Sequence, residues 1–318
     1  MSPSFASMNN KYIITTGDID GIGYEVTVKA LLAIAPKEPF IIWRSPKVDT
    51  QESSQKLNQV CSPETVSSLE EALESKALIT EIVTDSSPAD WVEQSAIACF
   101  EKKAKALITG PLSKTTILKS GRADMGHTDI LKRISHAESV HMGFFGKFFN
   151  VVLATGHIPV SQVSKSLTSE CIDKVIGNCA DFLKKLPASS HNKPIGFLGL
   201  NPHAGEGGMI GSEEKSFQPL LIKLAQKYSV RISEPLVPDA AFLKGQWDKY
   251  SLYIALYHDQ GLIPFKAIHG QDSGAHITLG IPFVRTSVDH GTAKDIFGLD
   301  IANPQSMIDA IQWAIRLS

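Results

Sequence analysis

Residues 195–206 read IGFLGLNPHAGE, an apolar run that breaks off at Asn201-Pro202-His203 and a glycine-containing turn. A short apolar run bounded by a turn signal is the pattern of a strand buried on both faces, as in a parallel sheet covered by helices. The pattern recurs as ALITGPLSK at 106–114, VVLATGH at 151–157 and LYIALYHDQG at 252–261. Further strands are expected at 12–16, 39–43, 78–83, 277–279 and 283–284. Amphipathic stretches at 24–35, 91–105, 170–186, 213–228 and 306–317 read as helices. Residues 44–78 are polar and Ser-rich and show no period. Repeated strand–turn–helix units predict an α/β fold with mostly parallel strands. No Pro/Gly/Ser linker divides the chain, so two domains would have to share the sheet or be crossed more than once.

In open α/β sheets ligands bind beyond the carboxyl ends of the strands. Three of these strand ends carry a histidine: His157, His203 and His258. A lone histidine there is more often structural. Three at equivalent places can converge as a metal or catalytic cluster, because neutral imidazole suits Zn²⁺, Co²⁺ or Fe²⁺. Three protein ligands with open positions describe a catalytic site rather than a structural one.

Gly17-Asp18-Ile19-Asp20-Gly21-Ile22-Gly23 follows the first strand and opens a helix. Its spacing is not GxGxxG, but its glycines permit a tight turn, and a helix N-terminus favours an anion. Gly110 to Thr115 lacks the Walker A spacing, so Ser113 or Thr115 is expected only to cap the next helix. Gly126-His127-Thr128-Asp129 offers an anion pocket, with Thr128 as the expected helix cap. Arg285, set between apolar strand residues, is costly to bury without an anionic partner, whether a ligand or a nearby carboxylate. Asp289-His290-Gly291-Thr292 is a polar turn suited to ligand binding.

The 318 residues are 43% hydrophobic and 20% charged, with a net charge of −2. That composition supports a full core and argues against a dedicated nucleic-acid or membrane-surface protein, which would carry a basic excess. The four cysteines form no CxxC pair, as expected of reduced thiols in a cytoplasmic protein. No apolar run reaches the ~18 residues of a membrane span. The Ser/Asn-rich start, residues 1–10, reads as a lead-in.

Taken in order, ITTGDIDGIG, ITGPLSK, GHTDIL, NPHAGE, YHDQGLIPFK and LGIPFVRTSVDHGTA resemble the 4-hydroxythreonine-4-phosphate dehydrogenase (PdxA) family, within the isocitrate/isopropylmalate dehydrogenase-like fold. The resemblance runs from about residue 12 to the C-terminus. It implies two α/β/α domains with the active site in the interdomain cleft. Residues 1–120 plus 275–318 would form the domain carrying the cofactor loop, and 121–274 the central domain carrying metal and dimer contacts. It implies NAD(P)-dependent, divalent-metal-dependent (Zn, Mg or Co) oxidation of 4-phosphohydroxy-L-threonine. The resulting β-keto acid decarboxylates to 3-amino-2-oxopropyl phosphate, in pyridoxal 5'-phosphate biosynthesis. It also implies a homodimer with a shared active site.

The resemblance assigns residues as well. His157, His203 and His258 would hold the metal. His127, Thr128, Lys266, His276 and Arg285 would contact substrate. Gly17, Asp18, Gly21, Gly23, Asp289, His290, Gly291, Thr292 and Asn303 would bind the cofactor. Asp239, Asp259 and Lys266 are the catalytic candidates. The chain departs from the family pattern at His276, usually asparagine, and at Gly156, Ala240 and the Asp18–Glu25 turn. The metal and basic positions are intact, so the departures bear on substrate. The alternatives are the same chemistry on a threonate or erythronate phosphate, or a metal-dependent hydrolase or isomerase without NAD.

Overall fold

A computed structural model describes residues 10–187, 192–270 and 273–318; most of the lead-in, residues 1–9, lies outside them. Two compact units divide the chain: Met1–Glu138, Asp272–His276 and Ile281–Ser318 form one, and Ser139–Gln271 and Ile277–Gly280 the other. Residues 121–138, assigned above to the central domain, belong to the first unit. The helix His127–Ser135 packs on the helix Pro88–Phe100, and Arg133 bonds Glu93 at 3.1 Å.

The first unit carries β1 (Tyr12–Thr15), β2 (Phe40–Arg44), β3 (Glu64–Val66), β4 (Ile79–Val83) and β5 (Ala106–Thr109). Of the remaining strands, β11 (Val284–Ser287) completes its sheet in the order β3-β4-β2-β1-β5-β11. Every pair in it is parallel. β1, β2 and β5 are buried at every residue, which is why they read as unbroken apolar runs rather than alternations. The helix Pro88–Phe100 starts at a Ser87/Asp90 capping box with Pro88 at its first turn. It stops short of the expected residue 105 because Lys102 turns left-handed at φ 60°.

Residues 44–78 do fold, into a helix at Glu52–Cys61, strand β3 and a helix at Leu69–Glu74. Their elements are short, and few apolar side chains (Val48, Leu57, Leu69 and Ala72) are buried there, too few to set a period. Beneath them Arg44 Nε lies 2.9 Å from Glu81 Oε2, and the Tyr24 hydroxyl donates to Glu81 Oε1 at 2.8 Å.

The second unit holds β6 (His141–Phe145), β7 (Asn150–Leu153), β8 (Gly196–Phe197), β9 (Tyr253–Ala255) and the end of β10 (Ala275–Leu279), in the order β10-β6-β7-β9-β8. The β6–β7 pair is antiparallel, an exception the sequence did not announce; β7, β9 and β8 are parallel. The 195–200 run supplies only two strand residues. Ile195 and Leu198 form isolated bridges to Ile232 and Leu236, so its pairing is shared with a second, irregular segment. The core here is built from Phe149, Val151, Leu153, Leu198, Tyr253, Leu262 and Phe265. The helix His258–His269, not foreseen, contains Gly261 and Pro264, both poor helix formers. Gly261 is required: a Cβ there would stand 2.7 Å from Val151 Cγ1.

Candidate active site

In the second unit the adjacent parallel strands β7, β9 and β8 run on toward His157, His258 and His203 respectively. Thr155 Oγ1 donates to the Leu256 carbonyl at 2.6 Å, tying the ends of β7 and β9 together. The His157 and His258 rings then lie 5.2 Å apart. His258 opens its helix, and its Nδ1 is 2.7 Å from Asp259 Oδ1. The carboxylate accepts, so Nδ1 donates, the orientation that turns Nε2 outward as in a metal-ligating imidazole.

His203 sits in a turn in which residues 203–207 all have left-handed φ. Glu214 holds the start of that turn, accepting from the Leu200 and Asn201 amides at 2.8 Å each. Among the described residues no group of three or more His, Cys, Asp or Glu is drawn together tightly enough to hold a metal ion. Two of the three histidines are therefore paired, and the third is not joined to them. Imidazole is a donor that divalent transition metals take, but as placed here the three histidines do not form a metal-binding group.

A second cluster lies in the first unit. Alternation along β5 and β11, with Thr109 opposite Ser287, puts Thr109, Arg285 and Ser287 on one face. Arg285 is 1% exposed. Its NH2 donates to Thr109 Oγ1 at 2.5 Å, and its NH1 lies 3.3 Å from His276 Nδ1. Burial lowers its pKa to about 9, so it remains a cation at neutral pH. His127 Nε2 is shut off from solvent and has no hydrogen-bond partner among the described residues. Desolvation, then the charge of Arg285, hold the His127 pKa well below its ordinary value. A fixed buried cation beside a neutral imidazole is a site prepared for an anion.

The glycine turn and the 289–303 loop also meet. Ile22 N donates to the Thr292 carbonyl at 3.0 Å, and Lys294 bridges Asp18 at 2.9 Å and Asp20 at 2.6 Å. Burial would raise the Asp18 pKa, but its bonds to Lys294, Ser113 and Thr116 outweigh it and hold the carboxyl low. Gly17, at φ +81°, would place a Cβ 2.0 Å from the Pro111 carbonyl, and Gly23 would place one 1.7 Å from that of Thr16. Both glycines are thus demanded by backbone packing, whatever they bind.

Comparison with known proteins decides the family. Residues 39–314 match the model of the pyridoxal phosphate biosynthetic protein PdxA. The chain belongs to the PdxA family. A 4-hydroxythreonine-4-phosphate dehydrogenase of a Sulfurihydrogenibium species is 37% identical over 96% of this chain and 98% of that protein. A relative from Oceanobacillus iheyensis, provisionally named D-threonate 4-phosphate dehydrogenase, is 34% identical over 74% of this chain and 70% of its own length. The crystal structure of the Klebsiella pneumoniae 4-hydroxythreonine-4-phosphate dehydrogenase superposes with a TM-score of 0.79 at 27% identity, covering 97% of this chain and 99% of that one.

Within this PdxA family member the other expected residues fall as follows. Thr128 is not a helix cap: the helix begins at His127 and Gly126 precedes it. Ser113 is the cap of the helix Lys114–Lys119, accepting from Thr116 N. Asn303 Oδ1 accepts from Gln305 N at 3.0 Å, and the His290 ring bonds the Gly291 carbonyl at 2.9 Å. Asp289 N donates to Ser306 Oγ at 2.9 Å. Of the catalytic candidates, Asp259 touches His258, while Asp239 and Lys266 are exposed on the helices Pro238–Ala241 and His258–His269. Two contributors were not foreseen, Thr109 and Lys294. Thr109 is the last strand residue before Gly110-Pro111, a strand-end signal like those that marked the histidines.

Proposed function

We propose that this chain is an NAD(P)-dependent, divalent-metal-dependent dehydrogenase that oxidises 4-phosphohydroxy-L-threonine. Its β-keto acid product loses CO₂ to give 3-amino-2-oxopropyl phosphate. The observation that carries the reading is the His157–His258 pair at the ends of adjacent parallel strands, oriented by Asp259, in a chain whose full-length relative is named for this reaction.

His157, His203 and His258 would hold the metal, and the turn at Gly17–Gly23 with Asp289–Thr292 and Asn303 would hold the nicotinamide cofactor. When bound, the metal supplies a Lewis acid at the substrate hydroxyl and the cofactor a hydride acceptor. Asp259 keeps the His258 proton on Nδ1, so that Nε2 faces the metal position as a lone pair. Arg285, fixed by Thr109, and Lys266 bind the anionic groups of the substrate. His127 stays neutral beside Arg285 and, with Thr128 and His276, orients what Arg285 holds. Asp239, Asp259 and Lys266 are the groups to test for proton transfer. The active protein is a cytoplasmic homodimer in which the partner completes the site.

The test is NADH or NADPH formation with 4-phosphohydroxy-L-threonine, abolished by a chelator and restored by Zn²⁺, Mg²⁺ or Co²⁺. Turnover without nucleotide would replace this reading by a hydrolase or isomerase. Light scattering of the purified protein tests the dimer. The Oceanobacillus relative favours a second reading, the same chemistry on a 4-phosphorylated threonate.

A further inference from the structure

The helix Gly23–Ile34 leaves the glycine turn directly and carries Glu25 and Lys29 one turn apart. Glu25 is 2% exposed. Its Oε1 accepts from Lys29 Nζ at 2.8 Å and from the backbone N–H of Ala302 at 2.6 Å. An ammonium group has three donors. Lys29 directs its other two at the backbone carbonyls of Asp300 and Ala302, at 2.8 and 3.2 Å. A second brace comes from the Ser-rich segment: Ser53 Oγ donates to Asp300 Oδ1 at 2.7 Å, and Lys56 Nζ to Asp300 Oδ2 at 3.2 Å. Asp300 itself is left-handed at φ 53°, a conformation that a non-glycine residue keeps where its surroundings hold it. All of these residues belong to the first unit, so the clamp is built within one body.

One helix therefore gauges two segments far apart in the chain. Its first residue, Gly23, closes the glycine turn, and Glu25 and Lys29 grip the backbone immediately before Asn303. Under the dehydrogenase reading, on which this inference rests, those are the two halves of the cofactor site. The 289–303 loop is suited to a polar ligand: His290 Nδ1 bonds the Gly291 carbonyl at 2.9 Å, and its Nε2 is shut off from solvent with no hydrogen-bond partner among the described residues. We propose that Lys29 is a positioning residue for the nicotinamide cofactor: seated on Glu25, it sets the backbone of residues 300–303 before the nucleotide arrives. Its three donors are spent on Glu25 and on loop carbonyls, so it acts through the loop and not on the nucleotide. A preset loop spares the ordering cost of binding. Lys29 therefore bears on nucleotide affinity and leaves the chemical step alone.

The experiment compares full-length wild type with Lys29→Met in three ways: amide hydrogen exchange of the nucleotide-free protein, binding of NADH and NADPH read by nicotinamide fluorescence, and steady-state kinetics. Lys29→Met should speed exchange in peptides covering 299–303 and leave the second unit unchanged. It should weaken nucleotide binding and raise the nucleotide KM about tenfold, the factor that corresponds to one lost hydrogen bond to a charged group. At saturating nucleotide, kcat and the KM of the phosphorylated substrate should stay within about twofold of wild type. An unmoved nucleotide affinity, unmoved exchange at 299–303, or faster exchange through both units overturns the inference while leaving the dehydrogenase reading standing. If wild type binds neither nucleotide, that reading falls and the inference with it. Should Lys29→Met not fold, Ser53→Ala decides: removing the brace on Asp300 should give the same pattern at about threefold, and wild-type exchange and affinity in that variant overturn the inference.

Discussion

Thr109→Val removes one hydroxyl from the centre of the Arg285 cluster and almost nothing else. The side chain is 0% exposed, and the swap conserves its shape. The lost oxygen accepts from Arg285 NH2 at 2.5 Å and donates to Ser287 Oγ at 3.0 Å. A hydrogen bond to a charged group contributes about 1.5–3 kcal/mol, and a buried guanidinium left short of an acceptor keeps its desolvation cost. The expected loss in unfolding free energy is therefore about 2–3 kcal/mol, read in urea as a lower midpoint with an unchanged slope. If Arg285 holds the substrate anion as proposed, the freed guanidinium should raise KM about tenfold, equivalent to ~1.4 kcal/mol, with a smaller change in kcat. Thr109→Ser keeps the oxygen and should recover most of both effects. If Thr109→Val stays within ~0.5 kcal/mol of wild type with KM unchanged, or if the serine variant behaves like the valine one, the hydroxyl does not anchor Arg285.

Other perturbations test other parts of the structure. His141 accepts from Asn178 Nδ2 at 2.8 Å, and burial, with Lys174 nearby, lowers its pKa to about 4. The unfolded chain, with an ordinary value near 6.5, takes up the proton first, so stability is full above pH ~6.5 and falls by about 3 kcal/mol as pH drops toward 4; His141→Gln should flatten that slope in urea titrations at pH 7 and pH 5. Glu81→Leu removes the buried partner of Arg44 and leaves it the more exposed Asp49, 2.5 Å away; it should cost about 2–3 kcal/mol, whereas Arg44→Met with Glu81→Leu should recover most of it; equal losses in the two would show that the pair is not coupled. Gly17→Ala drives a Cβ into the Pro111 carbonyl at φ +81° and should yield little soluble protein, so a wild-type melting curve would contradict the packing described. His203→Ala should abolish metal-dependent turnover while leaving the fold intact by circular dichroism, and an unchanged rate would remove His203 from the metal set.

Legibility in the sequence followed the strength of the local signal. β5, at 106–109, and the helix Glu213–Tyr228 fell where the pattern placed them, because a buried run and a long amphipathic stretch each admit one reading. The 195–200 run reads equally well as a strand, yet Leu198 and Ile195 bond outside the regular ladder, a choice made by the distant segment 232–236. Gly261 and Pro264 hid a helix whose glycine is dictated by Val151 on another strand. At the candidate site, strand ends pointed to His157 and His258, which the fold pairs. The sequence asked for a partner to Arg285, but that Thr109 and His276 supply it depends on the register of β5 with β11 and on the path of β10. No local pattern encodes either.

The order in which the two units are threaded bears on how the chain can fold as it is made. Ser139–Gln271 is nearly continuous, whereas the first unit awaits β11 and the helix Gln305–Leu317, which packs on Gly23–Ile34 and on β11. During synthesis β5 therefore emerges long before the strand that covers its edge, and an uncovered parallel edge is open to pairing with other chains. The second unit can close on the ribosome while the first remains half-built, and the last turns of the C-terminal helix complete the older part of the molecule. A truncation at the C-terminus would thus injure the unit that begins the chain and spare the one in its middle.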